Sequence, residues 1–286
     1  MRIDTVIRVA LFLVALSAIA ALGLITLFIF RAGVPLIIEV GPIQFLFGRT
    51  WAPTQGQFGI WPMVVGSVWV TLGALAIGVP LGLAVAIFAS EFAPPVAATI
   101  LRPAVQLLAG IPSVIYGFIG LVILVPLIRD TLGGPGLSIL AGSVILGIMI
   151  LPNVISISED AIRAVPKNYR DGALALGATH WQTIWGVVLP AARSGIIASI
   201  VLGMGRAIGE TMAVIMVVGN ALALPRSILD SATTLTSNIG LEMGYATGKH
   251  REALFATGVV LFLLIMALNA ATSFLVRRRG QGGIGR

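Results

Sequence analysis

Six long apolar runs, separated by shorter polar segments, dominate the pattern of hydrophobic and polar residues along this chain. A helix needs about 20 mainly apolar residues to cross the hydrocarbon core of a bilayer. Each run is long enough, so the pattern predicts an all-α membrane protein with six transmembrane helices. These helices are expected at about residues 6–30, 63–90, 101–128, 138–158, 194–221 and 253–276.

The first run resembles a signal peptide in one respect, because Arg2 and Arg8 precede it. Its apolar stretch is longer than the roughly 7–15 residues of a signal-peptide core, so we expect an uncleaved first helix. Residues 1–62 would then form this helix and an outer-face elbow rich in proline, with Trp51 and Trp61 near the interface. Residues 63–286 would form the core of five transmembrane helices.

Composition supports a membrane protein and excludes several kinds of site. Of the 286 residues, 58% are hydrophobic and 10% are charged, a balance that soluble domains of this length do not have. The chain contains no cysteine, which excludes disulfides and thiolate chemistry within it. His180 and His250 are far apart and have no carboxylate cluster beside them, so we expect neither a metal site nor a cofactor.

The distribution of basic residues predicts the orientation in the membrane. Six spans place both termini on one side, where eleven Lys and Arg residues fall, against six on the opposite side. The positive-inside rule therefore predicts cytoplasmic termini and a cytoplasmic segment 159–193 in a multi-pass protein of the cell inner membrane. This bias explains most of the net charge of +7, so the charge does not indicate nucleic-acid binding.

Two charges, Arg206 and Glu210, lie well inside the fifth apolar run. An Arg at the centre of a membrane helix costs about 2.5–3.5 kcal/mol on insertion scales, so something must offset it. The i,i+4 spacing would place the two side chains on one helix face, where they could form an ion pair that only holds the bundle together. The alternative, which we favour, is a polar path for an anion, with the planar guanidinium of Arg206 contacting a tetrahedral oxyanion.

Other polar residues are candidates for the same path, each with a plainer explanation. Pro112 should break the third helix, and Ser113 is placed to satisfy the carbonyl that it frees, either at a packing kink or at a gate. Tyr116, one turn later, would line a path or simply pack. Asn153 is explained by default as an interhelical hydrogen bond.

A polar stretch over residues 171–190 interrupts the apolar pattern between the fourth and fifth runs. It has helical spacing, pauses at Gly177 and closes at Leu189-Pro190, which predicts a helix-turn-helix exposed at a membrane face. Such a motif would provide a docking surface for another protein. Just before it, Glu159 and Arg163 form an i,i+4 pair that we expect at a solvated helix end, with a partner contact as the alternative.

This stretch resembles the EAA signature of ABC-importer permeases, in which Glu-Ala-Ala is followed by a Gly six residues after the Glu and later by Ile-x-Leu-Pro. The Gly and the Leu-Pro pair are in register here, whereas Asp-Gly-Ala replaces the tripeptide and Val187 replaces the Ile. The resemblance implies a type I ABC importer permease, whose short helix sits in a groove of an ATPase subunit. The residues implied in this coupling are Asp171, Gly172, Ala173, Gly177, Leu189 and Pro190.

Three further segments resemble the PstC-type permeases of phosphate importers, namely residues 47–67, 108–117 and 205–214. This resemblance implies an ATP-driven importer of inorganic phosphate. Its partners in the lipid membrane would be a PstA-like permease and two ATPase subunits, and a periplasmic or extracellular phosphate-binding protein would deliver the substrate, with the outer elbow as a landing surface. The substrate path would include Arg206, Glu210, Thr211, Ser113, Tyr116 and Asn153.

Alternatives remain open at this point. They are a permease for another oxyanion such as molybdate or sulfate, an ATP-independent channel or carrier, and a membrane scaffold without cargo. A carrier would have no use for the docking motif, and a scaffold would have no reason to bury Arg206.

The chain is not expected to be an enzyme. Residues 244–250 resemble a P-loop only faintly, because three residues separate the glycines where four are needed, and His250 stands where Ser or Thr should follow the Lys. No Ser/His/Asp set and no paired catalytic carboxylates are recognisable. ATP would therefore be hydrolysed by a partner subunit.

Overall fold

The computed structural model describes residues 2–280, without the side chains of residues 2–4, 95, 98 and 271–280. Residue 1 and residues 281–286, including the predicted cytoplasmic ends, lie outside the described residues. Within this part of the chain, six helices are long and apolar enough to cross a membrane, which confirms the predicted number. They cover Thr5–Val40, Trp61–Phe92, Ser113–Leu132, Ile139–Arg163, His180–Gly209 and Gly248–Ala270.

The elements are numbered in chain order. The helices are α1 (Arg2–Val40), α2 (Pro42–Phe47), α3 (Trp61–Ile87), α4 (Pro95–Gly110), α5 (Ser113–Ile119), α6 (Val125–Leu132), α7 (Ile139–Arg163), α8 (Lys167–Ala175), α9 (His180–Thr183), α10 (Leu189–Gly209), α11 (Met212–Val217), α12 (Leu235–Glu242) and α13 (Gly248–Gly280). The π-helical turns Phe88–Phe92, Gly120–Leu124 and Ile184–Val188 extend α3, join α5 to α6 and join α9 to α10. Strands β1 (Trp51–Ala52) and β2 (Gln57–Phe58) form an antiparallel hairpin.

The third apolar run is broken into two helices at Pro112, as the sequence predicts, but the span is Ser113–Leu132 rather than the expected 101–128. Helix α4 ends at Gly110, and α5 begins at Ser113. Ile111 between them is extended, with φ −69° and ψ 126°. A residue that precedes proline is pushed out of the helical region by the proline ring, which explains the break before Pro112. Only the second part continues as a span.

The fifth span is shifted from the predicted 194–221 to His180–Gly209. The helix starts earlier because α9, the π-helical turn and α10 are continuous. It ends earlier because Glu210 leaves the helical region, with φ −71° and ψ 130°. The short helix α11 follows and packs on α5.

Helices α3, α7 and α10 form the centre of the bundle. Small residues allow α3 and α7 to approach closely: a Cβ on Gly78 would lie 2.7 Å from the Gly147 carbonyl oxygen. The hydroxyls of Ser158 in α7 and Ser199 in α10 share a buried hydrogen bond of 2.8 Å. This packing fixes α10, and thus the height of Arg206, relative to α7.

The outer elbow is folded onto the bundle rather than lying along the lipid interface. Trp51 is buried, and its Nε1 donates to Glu242 Oε2 in α12 at 2.9 Å. The same carboxylate oxygen lies 2.6 Å from His250 Nε2 in α13. Phe45 and Phe58 are buried in the same cluster. Trp51 therefore ties the hairpin to α12 and α13, and lipid anchoring does not explain this tryptophan.

Candidate functional site

Arg206 lies in the last turn of α10, and its partner is a neutral side chain. Its NH1 donates to Asn153 Oδ1 of α7 at 3.3 Å. Arg206 is half-buried, and its charge also acts on the hydroxyl of Tyr116 in α5. Within residues 2–280, the ion pairs do not include Arg206. The guanidinium thus sits among three helices without a carboxylate to neutralise it.

Glu210 does not form the ion pair with Arg206 that the i,i+4 spacing predicts. The helix ends before Glu210, so four-residue spacing no longer places the two side chains on one face. Instead, Glu210 Oε1 accepts a hydrogen bond from the Ala213 backbone N–H at 3.2 Å and caps the first turn of α11. The Glu210 carbonyl accepts from Thr236 Oγ1 of α12 at 2.9 Å. The predicted ion pair between Arg206 and Glu210 is therefore not formed in this conformation.

Tyr116, and not Ser113, satisfies the carbonyl freed by Pro112. In a continuous helix the Leu108 carbonyl would accept from the N–H of residue 112, which proline lacks. The Tyr116 hydroxyl donates to this carbonyl at 2.9 Å, a shorter hydrogen bond than the 3.4 Å one from the Ile111 N–H, and bridges the break between α4 and α5. Ser113 is half-buried at the start of α5, and Thr211 Oγ1 donates to the Gly209 carbonyl at 3.4 Å. Both hydroxyls are near the ends of the broken helices.

The predicted helix-turn-helix is present at residues 167–183. Helix α8 ends in a Schellman motif: Ala178 N–H donates to the Ala173 carbonyl and Gly177 N–H to the Leu174 carbonyl. Gly177 has φ +87°, a conformation that favours glycine. Asp171, Gly172 and Gly177 are exposed, whereas Ala173 is half-buried. Leu176, at the tip of the turn, is 91% exposed.

The motif does not close at Leu189-Pro190, as the sequence predicts, because the helix continues through both residues to Gly209. Pro190 is accommodated by the preceding π-helical turn, in which Leu189 N–H donates to the Ile184 carbonyl. Leu189 packs against a buried cluster that includes Ala86, Ile162 and Val188. These two residues thus form the root of the fifth span, behind the exposed turn.

An ion pair that sequence reasoning missed holds α8 to the membrane helices. Arg170 NH2 and Glu91 Oε1 are 2.7 Å apart, with side chains that are 20% and 5% exposed. Arg170 also donates to the carbonyls of Val165 at 2.6 Å and Ile162 at 2.9 Å. We call this arrangement the Arg170 clasp. Glu91 is 79 residues away in sequence, so no local pattern connects it to α8.

Glu159 forms the predicted pair with Arg163, whose Nε donates to Glu159 Oε1 at 2.9 Å. The expected solvated helix end is wrong, however, because Glu159 is only 6% exposed. Arg102 of α4 donates to the same oxygen from Nε at 3.0 Å and from NH2 at 2.9 Å. One buried carboxylate therefore accepts from two arginines.

Two exposed glycines of this region should respond differently when each is replaced by alanine. Gly177→Ala places a Cβ in the left-handed region, at a cost of about 1–2 kcal/mol, and should loosen the turn and lower the stability of α8. Gly186→Ala is the matched control, because Gly186 lies outside the turn, has no positive φ, and a Cβ added there would meet nothing within 4 Å beyond its own helix. Limited proteolysis at the turn of each purified variant measures the difference. Equal cleavage of both variants would contradict the role of the Gly177 conformation.

The six spans, the half-buried arginine in one of them and the exposed turn between two spans are features of a membrane permease. Residues 78–281 match the model of the family described as the binding-protein-dependent transport system inner membrane component, and the chain belongs to this family. It is thus an ABC importer permease and a multi-pass protein of the inner membrane.

Relatives from several bacteria agree with this assignment. The probable ABC transporter permease protein YqgH of Bacillus subtilis is 44% identical, over 93% of this chain and 88% of the relative. The phosphate transport system permease protein PstC of Pasteurella multocida is 35% identical, over 82% of this chain and 80% of the relative. PstC of Xylella fastidiosa (strain Temecula1) is 34% identical, over 84% and 81%. The predicted resemblance to PstC-type permeases is confirmed.

Solved structures support the fold. An inward-facing structure of the MetNI methionine ABC transporter has a TM-score of 0.57 and 22% identity, covering 77% of this chain and 94% of that one. A bacterial ABC transporter that imports the acidic polysaccharide alginate has a TM-score of 0.59 and 18% identity, covering 91% and 95%. The type I ABC importer permease architecture expected from the sequence is confirmed.

Proposed function

We propose that this chain is the PstC-type permease subunit of an ATP-driven importer of inorganic phosphate. It would form the translocation path with a PstA-like permease, while two ATPase subunits dock on the cytoplasmic face of the permease pair. A soluble phosphate-binding protein would deliver the substrate to the opposite face, near the elbow. We also propose that both termini lie in the cytoplasm. The PstC names of several relatives support phosphate as the substrate.

The observation that carries the proposal is Arg206 without a carboxylate partner. A charge in a membrane span is costly and almost always faces a path or a partner. Asn153 supplies one neutral acceptor, which orients the guanidinium but leaves its charge uncompensated. A tetrahedral oxyanion would supply the missing charge and accept two parallel hydrogen bonds. The path would continue along Asn153, Ser113 and Tyr116.

Glu210 is proposed to contribute selectivity. Its carboxylate can accept a hydrogen bond from the protonated oxygen of phosphate, whereas sulfate carries no proton at neutral pH. Thr211 lies next to it at the start of α11. Because the Glu210 side chain caps the Ala213 N–H, the carboxylate is held just beyond the end of α10.

Glu210→Gln tests this role. A glutamine oxygen can still cap Ala213, so folding should be preserved while the charge is removed. We expect phosphate uptake to fall and sulfate to compete more strongly in reconstituted vesicles. The exposed Glu252, changed to Gln, is the control and should behave as wild type. Unchanged uptake together with unchanged selectivity in Glu210→Gln would reject the selectivity role.

The exposed turn segment is proposed as the site of ATPase coupling. Asp171, Gly172, Ala173 and Gly177 would lie against the ATPase subunit, with Leu176 inserted as an apolar anchor. Leu189 and Pro190 would not contact the ATPase subunit but would anchor this segment to the fifth span. The Arg170 clasp would transmit movement of α8 to α3 and α7.

The whole proposal is tested by reconstituting the full complex in vesicles. ATP-driven uptake of labelled phosphate from the loaded binding protein is expected, with little competition from sulfate or molybdate. Uptake of molybdate or sulfate in place of phosphate would favour the other oxyanion permeases. Uptake that needs no ATP would favour a channel or carrier.

A further inference from the structure

A polar stripe on α7 leads away from Arg206 towards the end of the bundle that carries α8. Asn153, Ser156 and Asp160 are spaced by three and four residues and therefore share one helix face. At 1.5 Å per residue the stripe is about 10 Å long. It begins at the hydrogen bond between Arg206 and Asn153.

Helix α4 closes the other side of this stripe and forms a pocket with it. Arg102 and Gln106 are four residues apart and share a face of α4. The pocket has a volume of about 200 Å³ and is partly open to its surroundings. Since a water molecule occupies about 30 Å³ of liquid, a tetrahedral anion fits with part of its hydration shell. The lining residues are Arg102, Val105, Gln106, Ser156, Glu159 and Asp160.

Arg102 is oriented by a buried carboxylate and retains donors for a ligand. Its Nε and NH2 both donate to Glu159 Oε1, which uses two of the five N–H groups of a guanidinium. Its side chain is 50% exposed, and that of Glu159 is 8% exposed. The carboxylate thus fixes the guanidinium plane, while the remaining N–H groups stay accessible from the pocket.

The charges around the pocket favour weak binding. Glu159 also accepts from Arg163, so two guanidinium groups share one buried carboxylate and leave a positive charge there. The exposed carboxylate of Asp160 opposes this charge. A transport path needs stations that bind well enough to be entered and weakly enough to be left. Weak binding of this kind suits a site that releases an anion more than a site that captures one.

We propose that Arg102, Gln106 and Ser156 form a second anion station, at which inorganic phosphate binds after Arg206 and from which it is released. Asp160 shortens the stay of the anion through repulsion. This inference rests on the proposed phosphate import, since it deepens the path of the same substrate. A purely structural Arg102–Glu159 pair that holds α4 on α7 is the competing explanation.

Binding is tested directly on the purified complex in detergent, without the binding protein. The ³¹P line width of added inorganic phosphate reports weak binding in fast exchange. We expect broadening with wild type that decreases in Arg102→Gln and is partly retained in Arg102→Lys. Lys167→Gln is the matched control, because it removes one exposed positive charge outside the pocket lining. Equal line widths in wild type and Arg102→Gln would overturn the proposal.

A second experiment separates a release station from a structural pair. Phosphate trapped inside vesicles should inhibit uptake by occupying this station. We expect Arg102→Gln to need about tenfold more internal phosphate for half-inhibition. Loss of one hydrogen bond to a charged group weakens affinity by about this factor. Asp160→Asn should need less than wild type. The proposal would be overturned if both variants shifted the half-inhibiting phosphate concentration in the same direction, or if neither shifted it. Asp160→Asn provides this test even if Arg102→Gln assembles poorly.

The outcomes also separate this inference from the proposed function. If wild type imports no phosphate from the loaded binding protein, the proposed function fails, whatever the line widths are. If wild type imports phosphate but the line width and the internal inhibition do not depend on Arg102, only the second station fails.

Discussion

Replacing Arg206 with glutamine is expected to reduce phosphate uptake by at least about thirtyfold, while the complex still assembles. This factor corresponds to about 2 kcal/mol, the lower end of the cost of removing one partner from a desolvated charge pair. Glutamine keeps a donor near Asn153 Oδ1 but cannot neutralise an anion. Uptake by vesicles, normalised to the amount of intact complex, measures the loss. Normal uptake would mean that Arg206 has a structural role.

Asn153 offers a matched test of the same charge. Asn153→Asp would place a carboxylate about where the amide oxygen now lies, 3.3 Å from Arg206 NH1. The new ion pair should stabilise the empty protein and compete with the substrate, so uptake should fall although both residues remain. Asn153→Ser retains a neutral acceptor and should retain most of the uptake. Similar uptake in the Asp and Ser variants would contradict charge competition.

Breaking the Arg170 clasp is expected to uncouple ATP hydrolysis from uptake. Removing one partner of a buried ion pair costs about 3–5 kcal/mol, because the remaining charge stays buried. Glu91→Gln should therefore release α8 from α3, so that movement of the ATPase subunits no longer reaches the spans. The measurement is phosphate taken up per ATP hydrolysed, with copurification of the ATPase subunits as a check on assembly.

A double-mutant cycle shows whether the two residues act as one unit. Glu91→Gln and Arg170→Gln should each cause most of the uncoupling, and the double variant should be no worse than either. Lys167→Ala is the control, since Lys167 is exposed at the start of the same helix. Additive losses in the double variant would indicate that Glu91 and Arg170 act independently.

Local signals predicted much of the fold. Six apolar runs specified six spans because each span must satisfy its backbone within the bilayer, and length and hydropathy report this directly. Gly177 was found by its place in the family signature, and the Schellman motif gives the physical reason for it. The boundaries of the third and fifth spans were wrong. Pro112 predicted the break in the third run but not that only its second part is a span, and hydropathy does not detect the break before Glu210.

The candidate site, like the fold, was predicted from the sequence only in part. Sequence placed Arg206 in a membrane span and indicated that something must offset its charge. Of the two explanations left open, the ion pair with Glu210 is not formed, because the i,i+4 argument assumes a helix that continues to Glu210. Glu91 and Arg102 could not be assigned roles, since their partners are 79 and 57 residues away.

The sequence by itself determined the membrane class, the number of spans, the family and the residues that carry unusual charge. These properties follow from composition, from periodicity and from short motifs, which are local along the chain. Only the tertiary structure decided which charges of residues 2–280 are paired with a carboxylate and which are not. Pairing depends on where helices end and which helices meet, and both result from packing between residues that are distant in sequence.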